Sequence, residues 1–411
     1  MTAERGTAGR GTAGRVLVVN AGSSSLKLSL LDPADAVLAE LDIDAWDGDT
    51  GHGGLRDFVH GLAAVDAVGH RVVHGGSRFT GPALIDAAVI AAIGELTELA
   101  PLHQPRALAG IEAVRALLPA VPAVACFDTS FHSGMPDAAA TYALPLDWRK
   151  RFGLRRFGFH GLSHAYAARR GAQLAGAALR GAAPGGAAPG GAAPGGAAPG
   201  GAAPGGAAPG RLRLVTCHLG AGASLAAVRG EHCVDTTMGF TPLEGLVMAT
   251  RSGSVDPGLL IWLLQRGGLS LDEVANGLEQ SSGLAGLSDL PDGSGDMREV
   301  HASADSGGAA ARLAIEVYLH RLRREIAAMA AAMNGLDVLV FTGGIGEHDP
   351  RIRAAAVSGL AFLGVAADED RNAAAHSDAD ISASGAVART LVITAREDIE
   401  IARQTRSVLF A

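Results

Sequence analysis

A strand, a glycine-rich turn and a second strand occur twice in this chain of 411 residues. The first copy reads RVLVVN, AGSSS and LKLSLL from residue 15 onward, and the second, at residues 211–229, reads RLRLVTCHLG, AGA and SLAAVRG. Each copy predicts a β-hairpin, because apolar and β-branched runs flank a short turn of small residues. Two halves that open alike predict an internally duplicated fold, and the chain is long enough for two domains with separate cores.

The remainder alternates apolar strands with helical stretches rich in Ala and Leu, which predicts an α/β protein. The runs VDAVGHRVVH and AVPAVACFD are predicted strands that end in polar residues. Residues 311–333 have helical apolar spacing, and residues 336–341 form a predicted buried strand that leads into TGGIGE. Open α/β sheets bind ligands at the carboxyl ends of their strands, so the site is expected there.

Two low-complexity segments interrupt this pattern. Residues 1–14, rich in Arg, Gly and Thr, are predicted to be a disordered leader, and residues 181–210 consist of six copies of GAAPG. Gly and Pro at this density neither continue a helix nor fill a core, so the repeats predict a flexible surface insertion. The predicted domains are an N-terminal one, residues 15–161 with a return of 395–411, and a C-terminal nucleotide-binding one, residues 162–394.

Composition favours a partner of small-molecule size. The 34 Lys and Arg residues against 42 Asp and Glu give a net charge of -8, without the basic run that nucleic acid or an anionic membrane surface would attract. Three cysteines without metal-ligand spacing are expected to be buried thiols in a reducing compartment, which predicts a cytoplasmic location. No apolar stretch is long enough to span a bilayer.

Two common nucleotide-binding motifs, GxxxxGK(S/T) and a complete GxGxxG between strand and helix, are absent from the sequence. Glycine-rich turns instead follow three predicted strands, at residues 20–27, 218–224 and 342–347. Glycine allows backbone N–H groups to approach phosphate oxygens closely. One such turn alone is more often an ordinary hairpin turn, but three of them, two in matching hairpins, favour phosphate binding.

Nine blocks between residues 15 and 403 resemble, in order, the acetate kinase family within the superfamily of acetate and sugar kinases, heat-shock ATPases and actin. They are VLVVNAGSSSLK, GHRVVHGG, PLHQP, FDTSFH, FGFHGLSH, HLGAGAS, DTTMGFTPLEGLVMATRSGSVDP, DMR and FTGGIGE. The resemblance implies a duplicated two-domain actin-like ATPase fold, related to ribonuclease H, with its active site in an interdomain cleft. It also implies a homodimer that reversibly transfers the γ-phosphoryl group of ATP to acetate, giving acetyl phosphate and ADP.

Four catalytic residues follow from this resemblance. Arg71 and Arg251 match arginines that stabilise charge, a task that suits a planar guanidinium able to bridge two phosphoryl oxygens, although either arginine alone is more often a surface or salt-bridged group. His160 matches the histidine that stabilises the transition state. Asp128 matches a carboxylate that the family describes as a proton donor or acceptor. Because acetate is already ionised above pH ~4, Asp128 is expected instead to orient an arginine or a Mg²⁺-bound water.

The resemblance assigns the other ligand contacts as well. Acetate is expected to contact Arg71, His103, Val73, Leu102, Phe159 and Pro242, although each apolar member is equally compatible with a plain core. Mg²⁺, with Mn²⁺ as an alternative, is expected at Asn20 and Glu397, the latter in TARED where the family has TNEE. The nucleotide is expected to contact Lys27, His218, Leu219, Gly220, Ala221, Gly222, Asp296, Met297, Arg298, Gly344, Ile345, Gly346, Glu347 and His348.

Other interpretations remain open at this point. His160 and His164 have the spacing of a metal-binding pair, but the Glu of HExxH is absent and phosphate contact is the better explanation; His132 has a structural alternative. Ala221 replaces an Asn of the family, which predicts weaker ATP binding, while Gln104 and His348 replace Asn with milder effect. The rival functions are a propionate or butyrate kinase, since one methylene is worth only about 1–3 kcal/mol, a nucleotide-dependent clamp, and an inactive regulator.

Overall fold

The structure is a computed structural model that describes residues 14–410 apart from 23, 24, 47, 50, 102 and 182–211, and only the backbone of 177–181. The predicted leader and the GAAPG insertion therefore lie outside the described residues except for one residue each, and Leu102 lies outside them entirely.

Two six-stranded sheets form the framework. The first contains β1 (Val16–Ala21), β2 (Ser25–Leu31), β3 (Val37–Asp44), β4 (Ala67–Val72), β5 (Ala83–Leu84) and β6 (Ala123–Phe127). The second contains β7 (Arg213–Leu219), β8 (Ala223–Arg229), β9 (His232–Thr236), β10 (Val338–Thr342), β11 (Ala379–Asp380) and β12 (Arg389–Val392).

The two sheets have the same strand order. It is β3-β2-β1-β4-β6-β5 in the first sheet and β9-β8-β7-β10-β12-β11 in the second. In each, three antiparallel strands are followed by two parallel pairings and a short antiparallel edge strand. The predicted hairpins are β1–β2 and β7–β8, so the predicted duplication is confirmed.

Helices surround the sheets. They are α1 (Gly53–Gly61), α2 (Ala87–Glu95), α3 (Gln104–Leu117), α4 (Asp137–Ala140), α5 (Leu146–Phe152), α6 (Gly161–Gly181), α7 (Pro257–Gln265), α8 (Leu271–Gln280), α9 (Gly283–Ser288), α10 (Met297–Asp305), α11 (Ala309–Ala332), α12 (Gly343–His348), α13 (Pro350–Ser358), α14 (Glu369–Ala374) and α15 (Glu397–Leu409). Short 3₁₀ turns occupy Thr97–Leu99, Ser130–His132 and Ala361–Leu363. No helix within the described ranges is both long enough and apolar enough to cross a bilayer.

Each sheet is buried on both faces, which explains why its central strands are almost continuously apolar. Along β1, Leu17 and Val19 join a core with α1 and α3, whereas Val16 and Val18 join another with α15. The second sheet packs on α6 through one face and on α10, α11 and α13 through the other. Polar residues therefore concentrate where the strands end. The boundaries proposed for the two domains stay a prediction.

Candidate active site

Four polar side chains meet at the ends of β1, β4 and β6 and at the start of α15. The guanidinium of Arg71 donates from Nη2 to Asp128 Oδ2 at 2.7 Å and from Nη1 to Asn20 Oδ1 at 3.1 Å. Asn20 Nδ2 donates to Glu397 Oε2 at 3.3 Å, and this oxygen lies 4.0 Å from Arg71 Nε. We call these four residues the Arg71 cluster. It brings together residues that are up to 377 positions apart in the chain.

Burial and charge act against each other in the Arg71 cluster. Burial on its own would lower the pKa of Arg71, but the carboxylates of Asp128 and Glu397 outweigh it, so the pKa is raised and the guanidinium stays cationic. Burial raises the pKa of Glu397, and the nearby charge of Asp128 adds to this effect, while Arg71 opposes it. The cluster therefore holds two carboxylates for one cation, which makes it receptive to a second positive charge.

The turn before α6 brings His160 next to this cluster. A Cβ on Gly161 would lie 1.9 Å from the backbone oxygen of Asp128, so only glycine allows the helix to start so close to the end of β6. His160 itself has a φ of 55°, a left-handed conformation that is costly for a residue with a side chain. Such strain persists where the surrounding structure enforces it, and it often occurs at functional sites.

His160 and Arg251 face each other across Gly222, in the turn between β7 and β8. A Cβ on Gly222 would lie 3.4 Å from His160 Nε2 and 3.7 Å from Arg251 Nη1. Among the described residues, no carboxylate forms an ion pair with Arg251; its Nη1 contacts the Pro242 carbonyl at 3.4 Å, and burial lowers its pKa. We call the space between this turn and the Arg71 cluster the cleft.

Two of the predicted acetate contacts lie near the arginines of the cleft, His103 through the charges of Arg71 and Arg251 and Pro242 through its carbonyl contact with Arg251. Burial and then the positive charges of Arg71 and Arg251 lower the pKa of His103 to about 4, which leaves its imidazole neutral. Val73 and Phe159 are buried in one apolar cluster. Both are core positions in this structure, and their contact with acetate stays a prediction. Leu102 is outside the described residues.

A cavity of about 860 Å³ adjoins the turn after β7, a volume typical of a small-molecule site. Eight of the predicted nucleotide contacts line it, namely Gly220, Ala221, Asp296, Met297, Arg298, Gly344, Ile345 and His348. They come from the β7–β8 turn, from the start of α10 and from α12. The structure thus brings together three segments that the sequence connects only by resemblance.

Several other predicted nucleotide contacts do not line this cavity. Lys27 is well exposed on β2 and pairs with Asp42 at 2.6 Å. The Glu347 carboxylate accepts the backbone N–H groups of Gly343 and Ala395, each at 2.9 Å, and so ties the start of α12 to the segment before α15. Leu219 and Gly346 are buried. Lys27 and Glu347 have partners within the protein, and their contacts with a nucleotide stay a prediction.

His218 lies beside the cleft rather than in the cavity. Its ring stacks on that of His160 at 4.4 Å between centroids, and its Nδ1 is 2.8 Å from the Ser163 hydroxyl. Burial lowers its pKa to about 4. His132, for which the sequence leaves a structural role open, contacts Cys233 Sγ and the Phe159 carbonyl and is fully buried. These contacts support the structural interpretation of His132.

Sequence reasoning missed part of the cavity wall. His301 Nε2 lies 2.9 Å from Asp349 Oδ2, and Arg351 pairs with Asp305 at 2.8 Å. His301, Asp349 and Arg351 all line the cavity. Only their contiguity with DMR and FTGGIGE marked these positions in the sequence. Gln104, which replaces an Asn of the family, is buried and holds the backbone of His74: its Oε1 accepts from the His74 N–H and its Nε2 donates to the His74 carbonyl.

The donor set suits a hard cation that is shared with a ligand. The described residues contain no group of three or more His, Cys, Asp or Glu side chains arranged for a metal ion. Asn20 lies beside the Glu397 carboxylate, with Nδ2 donating to Glu397 Oε2 at 3.3 Å and Oδ1 accepting from Arg71, and a 180° turn of the amide would put its oxygen next to that carboxylate. Mg²⁺ commonly takes one or two protein oxygens together with phosphate oxygens and waters, so these two residues fit it.

Known proteins resemble the chain over nearly its full length. An acetate kinase of Synechococcus sp. is 43% identical over 433 residues, covering 96% of this chain and 99% of the relative. One from Deinococcus deserti is 44% identical, with coverage of 96% and 98%. The crystal structure of Porphyromonas gingivalis acetate kinase superimposes with a TM-score of 0.82 at 34% identity, covering 97% of this chain and all of that one.

A propionate kinase from Francisella tularensis is also similar, with a TM-score of 0.80 at 33% identity and coverage of 96% and 99%. These matches confirm the predicted fold class, a duplicated two-domain α/β fold of the actin-like type. A profile of the acetokinase family matches residues 55–181 and 206–403. The chain therefore belongs to the acetokinase family.

Proposed function

We propose that the protein reversibly transfers the γ-phosphoryl group of ATP to the carboxylate of acetate, giving acetyl phosphate and ADP. The observation that carries this proposal is Arg251, a half-buried guanidinium without a carboxylate partner among the described residues, which faces His160 across a glycine turn. A half-buried cation without an ion pair favours the binding of an anion. The adjoining cavity has room for the nucleoside part of a nucleotide whose phosphates would supply this anion.

The chain's own residues account for the charge that develops during transfer. The phosphoryl group carries negative charge on its equatorial oxygens, so catalysis rests on positioning and electrostatic stabilisation. Arg251 and Arg71 supply two cations from opposite sides of the cleft, and His160 supplies a ring nitrogen. Asp128 holds Arg71 through two guanidinium nitrogens, Nη2 at 2.7 Å and Nε at 3.2 Å. We infer that Asp128 orients Arg71 and is not a proton acceptor, because acetate needs no deprotonation.

Asn20 and Glu397 are the proposed Mg²⁺ ligands. The ion would neutralise charge on the β- and γ-phosphates of ATP. Glu397 starts α15, whose first turn also contains Asp398 and Glu400. Carboxylates are favourable at a helix N-terminus, which helps to keep Glu397 at the cleft despite its burial.

Phosphoryl transfer by the purified protein tests the proposal. ATP, Mg²⁺ and acetate, propionate or butyrate would be supplied in turn, and the acyl phosphate trapped as its hydroxamate. We expect turnover led by acetate, and Arg251→Ala should lower kcat by about 10²–10³-fold. The matched control is Arg213→Gln, which removes an arginine paired with Asp337 at the other end of β7. Absence of acyl phosphate from all three acids would refute the proposal.

A homodimer is also proposed, with α7 at its interface. None of the residues of α7 is buried, although most are apolar, and Ile261 and Trp262 are more than half exposed. With Val255, Leu259, Leu264, Leu269 and Leu271 they expose on the order of 700 Å², close to the ~800 Å² that each partner contributes to a standard interface. A cytoplasmic location is proposed because all three cysteines are free and buried.

A further inference from the structure

We propose that Thr216, His164 and Ser224 are positioning residues that keep the proton of His160 on Nε2, the ring nitrogen at the cleft. This inference rests on the proposed function, because it assigns to His160 a hydrogen bond to the transferred phosphoryl group. It explains how the neutral imidazole of His160 donates its N–H toward the phosphoryl group in the cleft.

The three residues form a continuous chain of short hydrogen bonds behind His160. Thr216 Oγ1 lies 2.8 Å from His164 Nδ1, and His164 Nε2 lies 2.8 Å from Ser224 Oγ. Ser224 Oγ then lies 2.9 Å from His160 Nδ1. All three positioning residues are buried, with Thr216 on β7, Ser224 on β8 and His164 in the first turn of α6. The second sheet thereby reaches the ring of His160 from behind.

The far nitrogen of His160 is open to a ligand. Within the described part of the chain, Nε2 has no hydrogen-bond partner, and it is not among the unpartnered atoms that are closed off from solvent. It faces the position above Gly222 that Arg251 also faces. A ligand oxygen there would contact His160 and Arg251 together.

The imidazoles of His160 and His164 in this chain of hydrogen bonds are both neutral. Burial lowers the pKa of His160 well below its usual range, and the neighbouring His218, His164, Arg71 and Arg251 lower it further. Burial also lowers the pKa of His164, with contributions from His132 and His218. Each ring therefore carries one N–H and one lone pair.

Ser224 couples the two rings because its hydroxyl has a single hydrogen. If Ser224 donates to His164 Nε2, then His160 must donate from Nδ1, and its Nε2 is a bare lone pair. If Ser224 donates to His160 Nδ1, then His164 donates from Nε2, Thr216 donates to His164 Nδ1, and His160 carries its hydrogen on Nε2. The hydrogen positions on Thr216, His164, Ser224 and His160 therefore depend on one another.

The second arrangement is the one that suits an anionic phosphoryl group. Every O–H and N–H dipole then points toward the cleft, and aligned bonds strengthen one another. The opposite arrangement gains only a contact from Thr216 Oγ1 to the Ala226 carbonyl, which at 3.4 Å is longer than a normal O–H hydrogen bond. It would also point a lone pair of His160 at phosphoryl oxygens.

Thr216→Val tests the chain, because valine keeps the shape of threonine and removes the hydroxyl. We expect kcat to fall about tenfold, the worth of one hydrogen bond, with KM for ATP and acetate within about twofold of wild type. The matched control is Thr390→Val on β12, since the buried Thr390 hydroxyl has no partner in the described residues. Thr390→Val should leave kcat unchanged.

Imidazole ¹⁵N NMR gives a readout that a purely structural role would not change. In full-length protein bound to a non-hydrolysable ATP analogue, Mg²⁺ and acetate, His160 should be protonated on Nε2 in wild type and divided between Nε2 and Nδ1 in Thr216→Val, where no hydroxyl fixes the His164 tautomer. A wild-type complex with bare Nε2 would overturn the proposal, and so would a Thr216→Val protein that keeps both the Nε2 proton and wild-type kcat. If Thr216→Val does not fold, the wild-type spectrum still decides. Loss of the proposed function would appear separately, as wild type that makes no acyl phosphate.

Discussion

Asp128→Asn separates the roles open to this carboxylate. Asp128 is 1% exposed, and Arg71 is 15% exposed. Removing one partner of a buried ion pair typically costs about 3–5 kcal/mol. Asparagine keeps one acceptor oxygen, and Arg71 retains Asn20 and the more distant Glu397, so we expect the lower end, about 3 kcal/mol. For a domain of this size, that corresponds to about 6–12 °C in Tm.

The catalytic effect should exceed what this loss of stability explains. Without the carboxylate, Arg71 is no longer held toward the cleft, and we expect kcat at 25 °C, where the variant remains folded, to fall about 10²–10³-fold. The fall should be the same across pH, because no proton transfer is removed. Hydroxamate trapping over a pH series measures it, alongside thermal unfolding of the same samples.

Asp337→Asn is the matched control for this variant. Asp337 also accepts from two guanidinium nitrogens, Arg213 Nη2 at 2.7 Å and Nε at 3.0 Å, but lies at the far end of β7. This pair is about a third exposed, so its loss should cost about 1 kcal/mol or less and leave kcat unchanged. Asp128→Asn with kcat within about twofold of wild type would refute the orienting role. Activity that recovers at high pH would instead indicate a proton acceptor.

Three further predictions concern the nucleotide, the cation and the interface. Ala221→Asn adds an amide at the cavity wall and should lower KM for ATP about five- to tenfold with kcat unchanged, whereas an unchanged KM would mean that the backbone of the turn suffices. The raised pKa of Glu397 means that Mg²⁺ competes with a proton for this carboxylate, so the Mg²⁺ concentration for half-maximal rate should fall as pH rises through that pKa. Without Mg²⁺, the free energy of unfolding should decrease over the same pH interval, because the carboxyl ionises at lower pH in the unfolded chain than in the folded protein. A pH-independent Mg²⁺ requirement would argue against Glu397 as ligand. Trp262→Asp should shift the protein toward monomers in sedimentation velocity, while Phe362→Asp, at a residue 74% exposed outside the α7 surface, should not.

Strands and hairpins were predictable from sequence because their signals are local. The run of residues 336–341 is β10 (Val338–Thr342), and the long apolar periodicity is α11 (Ala309–Ala332). The turn TGGIGE was expected only as a glycine-rich turn and is instead the short helix α12. Glycine has low helix propensity, so this helix depends on tertiary contacts that a local pattern does not contain.

Contacts between distant segments were beyond the sequence pattern. Polar residues at strand ends predicted a site edge, but the pairing of Arg71 with both Asn20 and Asp128 depends on the order of three strands. Thr216 stands out only as a polar residue in an apolar strand, and its link to His164 appears once α6 is packed on β7. Lys27 was expected at the phosphates, and its pairing with Asp42 follows from the cross-strand register of β2 and β3.

The matching strand orders of the two sheets indicate how the fold arose. Two sheets with one strand order, each with a glycine-containing turn between its first two strands, indicate the duplication of an ancestral gene. In one copy, β1 and β4 present Asn20 and the charged Arg71; in the other, the corresponding strands β7 and β10 present His218 and Thr342, neither of which is charged. The first half supplies Arg71 and its partners Asn20 and Asp128, whereas residues of the second half line the cavity. A complete site therefore requires both halves of the protein.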